Sequence, residues 1–297
     1  MKRCVPRWRK FNSHSPQYMK SILITGASTG IGEACAIYLA DSGWQVFAGV
    51  RKPMDAKRIK AASEDIKTIL LDVTRPKEIA KAKVAILKIV GDDGLQGLVN
   101  NAGIAIAGPL EFLPIKELRR QFEVNLFGLV KLTQALLPLL RAGRGRIVNI
   151  SSIGGRTAGP FNVPYSASKH ALEAFTDGLR RELLPWKIHV ASIQPGSIDT
   201  PIWKKSLKIA DATRAKFPRE AEELYGTAMQ RARKQAVDAG ARGIPAMAVA
   251  RVVYHALNTP RPRTRYIVGR GTRLAIWLTS FLPDEWVDWV IGRTLYR

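Results

Sequence analysis

Short apolar runs alternate with longer amphipathic helical patterns along most of this 297-residue chain, and this alternation restricts the fold more than any other feature. Buried strands are expected at 21–25, 45–50, 66–71, 95–99, 146–150 and 188–193, with a further one at 266–268. Helical spacing fills the gaps at 31–41, 77–89, 115–140 and 165–184. Strands separated by helices pair in parallel, cross over right-handedly and bury both sheet faces. The expected class is α/β: one domain on a doubly wound parallel sheet of about seven strands, with helices on both faces. Residues 196–244 break the rhythm, with no convincing strand and with mixed-charge helices such as 219–235. Long connections at the carboxyl ends of strands shape ligand sites in such sheets, so this stretch is read as a lobe over a ligand; a surface helical hairpin is the alternative. The chain then divides into a basic extension (1–20), a main domain (21–269) that includes the lobe, and an aromatic, basic tail (270–297).

The strand at 21–25 runs into Thr25-Gly26-Ala27-Ser28-Thr29-Gly30-Ile31-Gly32, where a helix begins. Glycine permits a tight turn and close approach of a diphosphate to the backbone. The helix start adds free N–H groups and partial positive charge. Gly26, Ser28, Gly30, Ile31 and Gly32 are therefore candidate dinucleotide-binding residues, the alternative being tight strand–helix packing without ligand. The second strand ends in Arg51-Lys52, with no carboxylate to bind ribose hydroxyls. Arg51 suits a 2′-phosphate, which favours NADP over NAD; solvated loop charge is the bland reading.

Tyr165 and Lys169 stand four residues apart on a helical pattern, so they share a face. A phenol ionises near pH 10, and bringing it to 7 or 8 requires about 3–4 kcal/mol in favour of phenolate. An ammonium and an oxidised nicotinamide both act in that direction, which would make Tyr165 a general acid or base. Tyr-x-x-x-Lys alone is weak evidence, and a chance pair on an amphipathic helix is the alternative.

Further segments carry a family resemblance. Asn100-Asn101-Ala102-Gly103 follows the fourth strand, Asp72-Val73 the third and Ser152 the fifth; Asn125 lies in a helical pattern, and Pro195-Gly196 follows the sixth strand. With the glycine turn and Tyr165/Lys169, this order resembles the short-chain dehydrogenase/reductase family from about residue 21 to 268, and the apolar residues near Ser152 and Tyr165 look like those of its steroid- and retinol-type members more than its sugar-type ones. The resemblance implies a Rossmann-type fold and hydride transfer between an alcohol and a carbonyl. It implies catalytic roles for Asn125, Ser152, Tyr165 and Lys169, with Ser152 holding the substrate oxygen, Lys169 gripping the nicotinamide ribose and Asn125 holding a water that links Lys169 to solvent. It also places Asp72, Val73, Asn101, Ala102, Gly103, Pro195 and Gly196, together with Tyr165 and Lys169, against the cofactor. A non-catalytic dinucleotide sensor is the competing reading; the presence of all four catalytic-type residues argues against it.

Ile153, Gly154, Phe161, Val163, Ile202 and Trp203, beside Ser152 and Tyr165, are the expected substrate wall, and their apolar character suits a bulky hydrophobic alcohol or ketone. The formal net charge is +23, but the basic residues are scattered and no nucleic-acid module is recognisable, so no nucleic-acid partner is expected. Two cysteines, Cys4 and Cys35, give no disulfide framework, which fits a cytoplasmic location. Residues 1–20 lack the apolar core of a secretory signal, and Met19 stands as an alternative start. The apolar run 274–282 is too short to span a bilayer, yet Trp277, Phe281, Trp286 and Trp289 among arginines suit an interface, so peripheral membrane contact, subunit contact and an apolar flap all stay open. The small residues Ala167, Ala171, Ala174 and Gly178 permit helix-to-helix pairing into a dimer or tetramer. His14, His170, His189 and His255 have no metal-binding spacing, and no metal is expected.

Overall fold

The computed structural model describes residues 19–296, so Cys4, His14 and most of the basic extension lie outside the described residues. Seven parallel strands form the main sheet in the order β3-β2-β1-β4-β5-β6-β9. These are β1 (Ser21–Thr25), β2 (Gln45–Val50), β3 (Ile66–Leu70), β4 (Gly97–Asn100), β5 (Arg146–Ile150), β6 (Val190–Pro195) and β9 (Arg265–Val268). Each strand feeds both faces because successive side chains point oppositely. Ile22, Ile24, Val46 and Ala48 enter one core, while Leu23 and Phe47 enter the other. The first core is closed by α1 (Gly30–Asp41) and α9 (Ala246–Asn258). The second is closed by α3 (Pro76–Val90), α5 (Gly128–Ala142) and α6 (Val163–Glu182). Each large side chain fully buried there contributes about 1.5–3 kcal/mol of transfer free energy. Cys35 lies in the first core, where burial pushes its thiol up to about 12 and makes it inert.

Several boundaries differ from the sequence reading. The fourth and sixth strands begin at Gly97 and Val190, two residues later than the apolar pattern suggests, because Leu95 and Ile188 are buried by packing outside the ladder. The helical run expected at 115–140 is α4 (Ile115–Phe122) and α5, joined by a π turn at Glu123–Phe127 that contains Asn125. This run is apolar and long enough to cross a membrane by composition, yet Leu129 is buried and Leu132, Leu136, Leu139 and Leu140 pack into the second core. α2 (Pro53–Lys60) has no counterpart in the sequence reading: it buries only Ile59, so no apolar stripe announces it, although Pro53 at its first position was a start signal. The stretch 196–244 does contain a strand pair: β7 (Ile198–Asp199) and β8 (Ile244–Pro245) pair in parallel and pin both ends of the lobe. Between them lie α7 (Ile202–Arg214) and α8 (Arg219–Ala241), and the tail folds as α10 (Thr272–Phe281) and α11 (Asp284–Leu295).

A buried polar ladder ties the second layer to the sheet. Asn100 Nδ2 donates to Asn149 Oδ1 (2.9 Å) and Thr133 Oγ1 (3.1 Å), and Asn149 Nδ2 donates to Thr176 Oγ1 (2.8 Å). Asn100 is thus occupied inside the sheet, and its neighbour Asn101 is the residue that faces the ligand edge. From β1 the chain winds outward to β2 and β3, then returns to β4 on the other side. The carboxyl ends of β1 and β4 therefore diverge, which opens a crevice at that edge.

Candidate active site

At the crevice, Thr25 and Asn101 clasp the two diverging strand ends. Thr25 Oγ1 accepts from the N–H groups of Asn101 and Ala102, both at 2.9 Å, and Asn101 Nδ2 donates to the carbonyls of Thr25 (2.9 Å) and Gly26 (3.2 Å). Gly26 and Gly30 both adopt φ of +63°, a left-handed conformation that side chains resist. At Gly32 an added Cβ would lie 2.3 Å from the Gly26 carbonyl oxygen and 2.4 Å from Asn101 Nδ2. The sequence thus builds an open backbone cradle at the start of α1, suited to a diphosphate. Arg58 of α2 braces it from outside, donating to the Ser28 carbonyl and pairing with Glu33.

A cavity of about 640 Å³ extends from this turn. It is lined by Gly26, Ser28, Gly30, Ile31, Arg51, Asp72, Val73, Asn101, Ala102 and Gly103, all proposed from sequence, and also by Thr29, Thr74, Thr200 and Lys205, which were not. Gly32, Pro195 and Gly196 do not line it; Gly32 lies beneath the turn, and Gly196 packs on Thr272. Burial alone would raise the Asp72 carboxyl, but hydrogen bonds from the Thr74 N–H (2.9 Å) and hydroxyl (2.7 Å), with Arg51 and Arg75 nearby, hold it below its ordinary value. Asp72 is therefore a fixed carboxylate beside Arg51. The glycine cradle, with its free N–H groups, and Arg51 at the same cavity fit the diphosphate and 2′-phosphate of NADP.

Ser152, Tyr165, Lys169 and Asn125 do not line this cavity; the link to it runs through Ile104, which lines it and whose carbonyl accepts from Asn125 Nδ2, which also donates to Ser168 of α6. Ser152 follows β5, and its Oγ accepts from the Gly154 N–H (3.0 Å), which fixes its rotamer. The Tyr165 ring packs on Gly154, where an added Cβ would lie 3.1 Å from Tyr165 Cε1. Lys169 is buried; its Nζ donates to the Ile150 carbonyl (2.8 Å) and lies 5.9 Å from the Tyr165 ring centroid. Burial pulls its ammonium down to about 8, partly opposed by the Glu173 carboxylate. For Tyr165 the protein alone runs against the sequence expectation: burial raises the phenol, and hydrogen bonding with Ser152 offsets this only in part. The reason is that burial penalises the charged phenolate by more than the Ser152 hydrogen bond returns.

Asn125, in the π turn, uses its side chain structurally. Its Oδ1 accepts from the Ile104 N–H (2.9 Å), and its Nδ2 donates to the Ile104 carbonyl (3.0 Å) and Ser168 Oγ (3.1 Å). Gln121, one turn earlier and fully buried, holds the Ile104 carbonyl (2.8 Å) and the Ile106 N–H (2.7 Å). Together these amides fix the loop after β4 between the cavity and α6. Glu173 is a second residue absent from the sequence reading. It lies one turn beyond Lys169, is buried, accepts from Ser192 Oγ and pairs with Arg265 Nε at 3.0 Å. A carboxylate continuing the Tyr165–Lys169 helix face was the available signal.

The apolar wall divides. Phe161 has φ of +62°, strained for a bulky residue, and its ring meets Tyr225 of the lobe edge-on at 6.1 Å. Tyr225 also donates to Glu111 Oε2 (2.8 Å), so the lobe is latched to the body. Trp203 is used for packing: it covers Gly240, and its Nε1 donates to the Ile198 carbonyl (2.8 Å). Ile202 lines the cavity, and Val163 starts α6. His170 bonds the Ser166 carbonyl (2.9 Å) and His255 packs on Tyr266, so both are structural.

Glu173→Gln should move the alkaline limb of the kcat/KM pH profile downward. Loss of the carboxylate removes an interaction that favours ammonium, so Lys169 deprotonates below about 8. An unchanged alkaline limb would show that Glu173 does not act through Lys169.

Residues 20–210 match the family model for short chain dehydrogenase. The chain is 37% identical over 286 residues to an NADPH-dependent 3-dehydrocapnine reductase of Ornithobacterium rhinotracheale, covering 94% of this chain and 98% of that protein. It is 38% identical to mouse retinol dehydrogenase 5, covering 93% of this chain and 89% of that protein. A crystal structure of a short chain dehydrogenase from Burkholderia cenocepacia in complex with NADP superposes with a TM-score of 0.69 at 25% identity, covering 92% of this chain and 97% of that one. The cradle at the β1–β4 crevice, the Ser152–Tyr165–Lys169 cluster and these matches together establish that the chain belongs to the short-chain dehydrogenase/reductase family.

Proposed function

We propose that this protein is an NADP(H)-dependent oxidoreductase that interconverts an alcohol and a carbonyl on a bulky hydrophobic substrate of steroid, retinoid or lipid type. The observation that carries the reading is the cavity joining Arg51 to the glycine cradle, together with the separate Ser152–Tyr165–Lys169 cluster at the end of β5 and on α6. Arg51 at the rim would pair with a 2′-phosphate, and Gly26, Gly30 and the α1 N–H groups would hold the diphosphate. When bound, the nicotinamide supplies the hydride acceptor or donor and, oxidised, a positive charge near the phenol.

The chain's residues then handle the proton and the positioning. Tyr165 Oη takes the hydroxyl proton in oxidation and returns it in carbonyl reduction. Ser152 Oγ holds the substrate oxygen and bonds the phenol. Lys169, held to the Ile150 carbonyl, stabilises phenolate. The aromatic group around Phe161, with Phe112, Phe217 and Tyr225, supplies an apolar cover that excludes water. Residues 21–269 form the catalytic domain in this reading, with 196–244 as its substrate lobe.

The protein is further read as a cytoplasmic homo-oligomer that touches membranes from one side. Leu274, Trp277 and Phe281 on α10, with Trp286, Trp289 and Val290 on α11, are exposed, and Arg293 stacks on Trp289 at 4.8 Å. Aromatics beside cations favour a bilayer interface.

Tyr165→Phe should lower NADPH-dependent turnover of steroid or retinoid carbonyls by about 10²–10⁴-fold with NADPH affinity unchanged; residual turnover within tenfold would remove Tyr165 from the chemistry. Arg51→Gln should weaken NADPH by about tenfold while sparing NADH, and equal loss of both would contradict a 2′-phosphate contact. Anionic liposomes should carry the protein on flotation and lose it when 270–297 are deleted; no flotation of the full chain would end the membrane reading.

A further inference from the structure

Charged side chains of alternating sign run along one face of α6. Lys169, Glu173 and Asp177 stand on successive turns, four residues apart. The Arg265 guanidinium, at the start of β9, bridges the two carboxylates: its Nε pairs with Glu173 Oε2 at 3.0 Å and its Nη2 with Asp177 Oδ2 at 2.6 Å. Arg180 Nη2 meets the other Asp177 oxygen at 3.4 Å. The Glu173 side chain is 7% exposed and that of Asp177 25%, so Glu173 is the carboxylate that depends on protein partners instead of water.

Strand register supplies both of those partners. Ser192 on β6 lies opposite Arg265 on β9; Ser192 Oγ donates to Glu173 Oε1 while Arg265 takes Oε2. The other elements meet α6 through neutral groups: Gln121 and Asn125 at Ser168, Asn149 of β5 at Thr176, and the Ile150 carbonyl at Lys169. Tyr165 is the remaining titratable group, with its ring centroid 5.9 Å from the ammonium. Glu173 is the charged group that favours the Lys169 ammonium against burial. A buried carboxylate stays ionised only while a cation and hydrogen bonds hold it. Without Arg265, Glu173 would keep one hydroxyl donor, and a carboxylate so placed takes up a proton. The ammonium one turn away would then lose its anion.

Resting on the assignment of Lys169 to the reaction above, we propose that Arg265, on the last strand of the sheet, is a positioning residue for the proton chemistry: it holds Glu173 as a carboxylate one turn from Lys169 and thereby favours the lysine's ammonium form. The placement of β9 then becomes a condition for the charge of a residue bonded to β5, two strands away. Arg265 touches neither the glycine cradle nor the Ser152–Tyr165 pair; its effect passes through Glu173.

The test titrates Lys169 by NMR of ¹³C-labelled lysine in the nucleotide-free protein, with the signal assigned by its absence in Lys169→Met. The parent should titrate at about 8. Arg265→Met should titrate about one unit lower, because loss of the anion disfavours ammonium, and Glu173→Gln should do the same. The double variant should titrate no lower than Glu173→Gln alone, as expected when one residue acts through the other. Arg265→Lys, which keeps the charge and loses the fork, should recover about half of the shift or more. Arg180→Met, which removes a partner of Asp177 only, should leave Lys169 in place. Arg265→Gln is the second truncation should the methionine variant fold poorly. A folded Arg265 truncation with Lys169 unmoved, a further fall in the double variant, or an equal fall in Arg180→Met would overturn the inference. The readout needs no turnover, so a protein that reduces no carbonyl would remove the proposed function while the titration still decides the role of Arg265.

Discussion

Burial of the Lys169 ammonium at the carboxyl edge of the sheet is the constraint around which the site is arranged. A lysine so placed needs partners, and the fold provides them from three directions. The Ile150 carbonyl accepts its hydrogen bond at the end of β5. Glu173, one turn along α6, opposes the depression of its pKa, and Glu173 is in turn held by Ser192 of β6 and Arg265 of β9. Gly155 lets the chain after β5 close on α6, since an added Cβ there would lie 3.0 Å from the Lys169 carbonyl oxygen. One buried charge thus links three neighbouring strands to α6.

The cofactor side obeys a different constraint. The β1 and β4 ends must part to open a crevice, yet stay fixed enough to present N–H groups to an anion. Thr25 and Asn101 hold them with short bonds, and left-handed Gly26 and Gly30 keep the cradle free of side chains. Asn125 and Gln121 join the two sides through Ile104. The phenol is the element that this scaffold leaves incomplete: burial raises Tyr165, and Ser152 recovers only part of the difference.

Much of this was legible in the sequence because periodicity and motif order report strongly on buried strands and backbone turns. The main strands, the glycine turn and the Tyr165/Lys169 face follow from patterns in which burial selects residue type. α2 was invisible because it packs almost nothing, and the β7–β8 pair because two-residue strands have no period to detect. Glu173 escapes the sequence reading because its place in the site depends on a partner distant in sequence, Arg265. Trp203 was read as substrate wall from its apolar ring, while its bond to Ile198 belongs to the lobe's own packing. The tyrosine's acidity was inferred from spacing, which counts the nearby ammonium and cannot weigh the desolvation that opposes it.

The central claim is that Lys169 and an oxidised nicotinamide together acidify Tyr165 beyond what burial costs. The most direct measurement is an NMR titration of ¹³C-labelled tyrosine, with Tyr165 assigned by its phenylalanine variant, in the presence and absence of NADP⁺, for the parent and for Lys169→Met. The account predicts that Tyr165 titrates above the ordinary value of about 10 in the free protein, falls well below it when NADP⁺ is bound, and titrates higher in Lys169→Met than in the parent when NADP⁺ is bound. A Tyr165 that stays at or above its ordinary value with NADP⁺ bound would contradict the account.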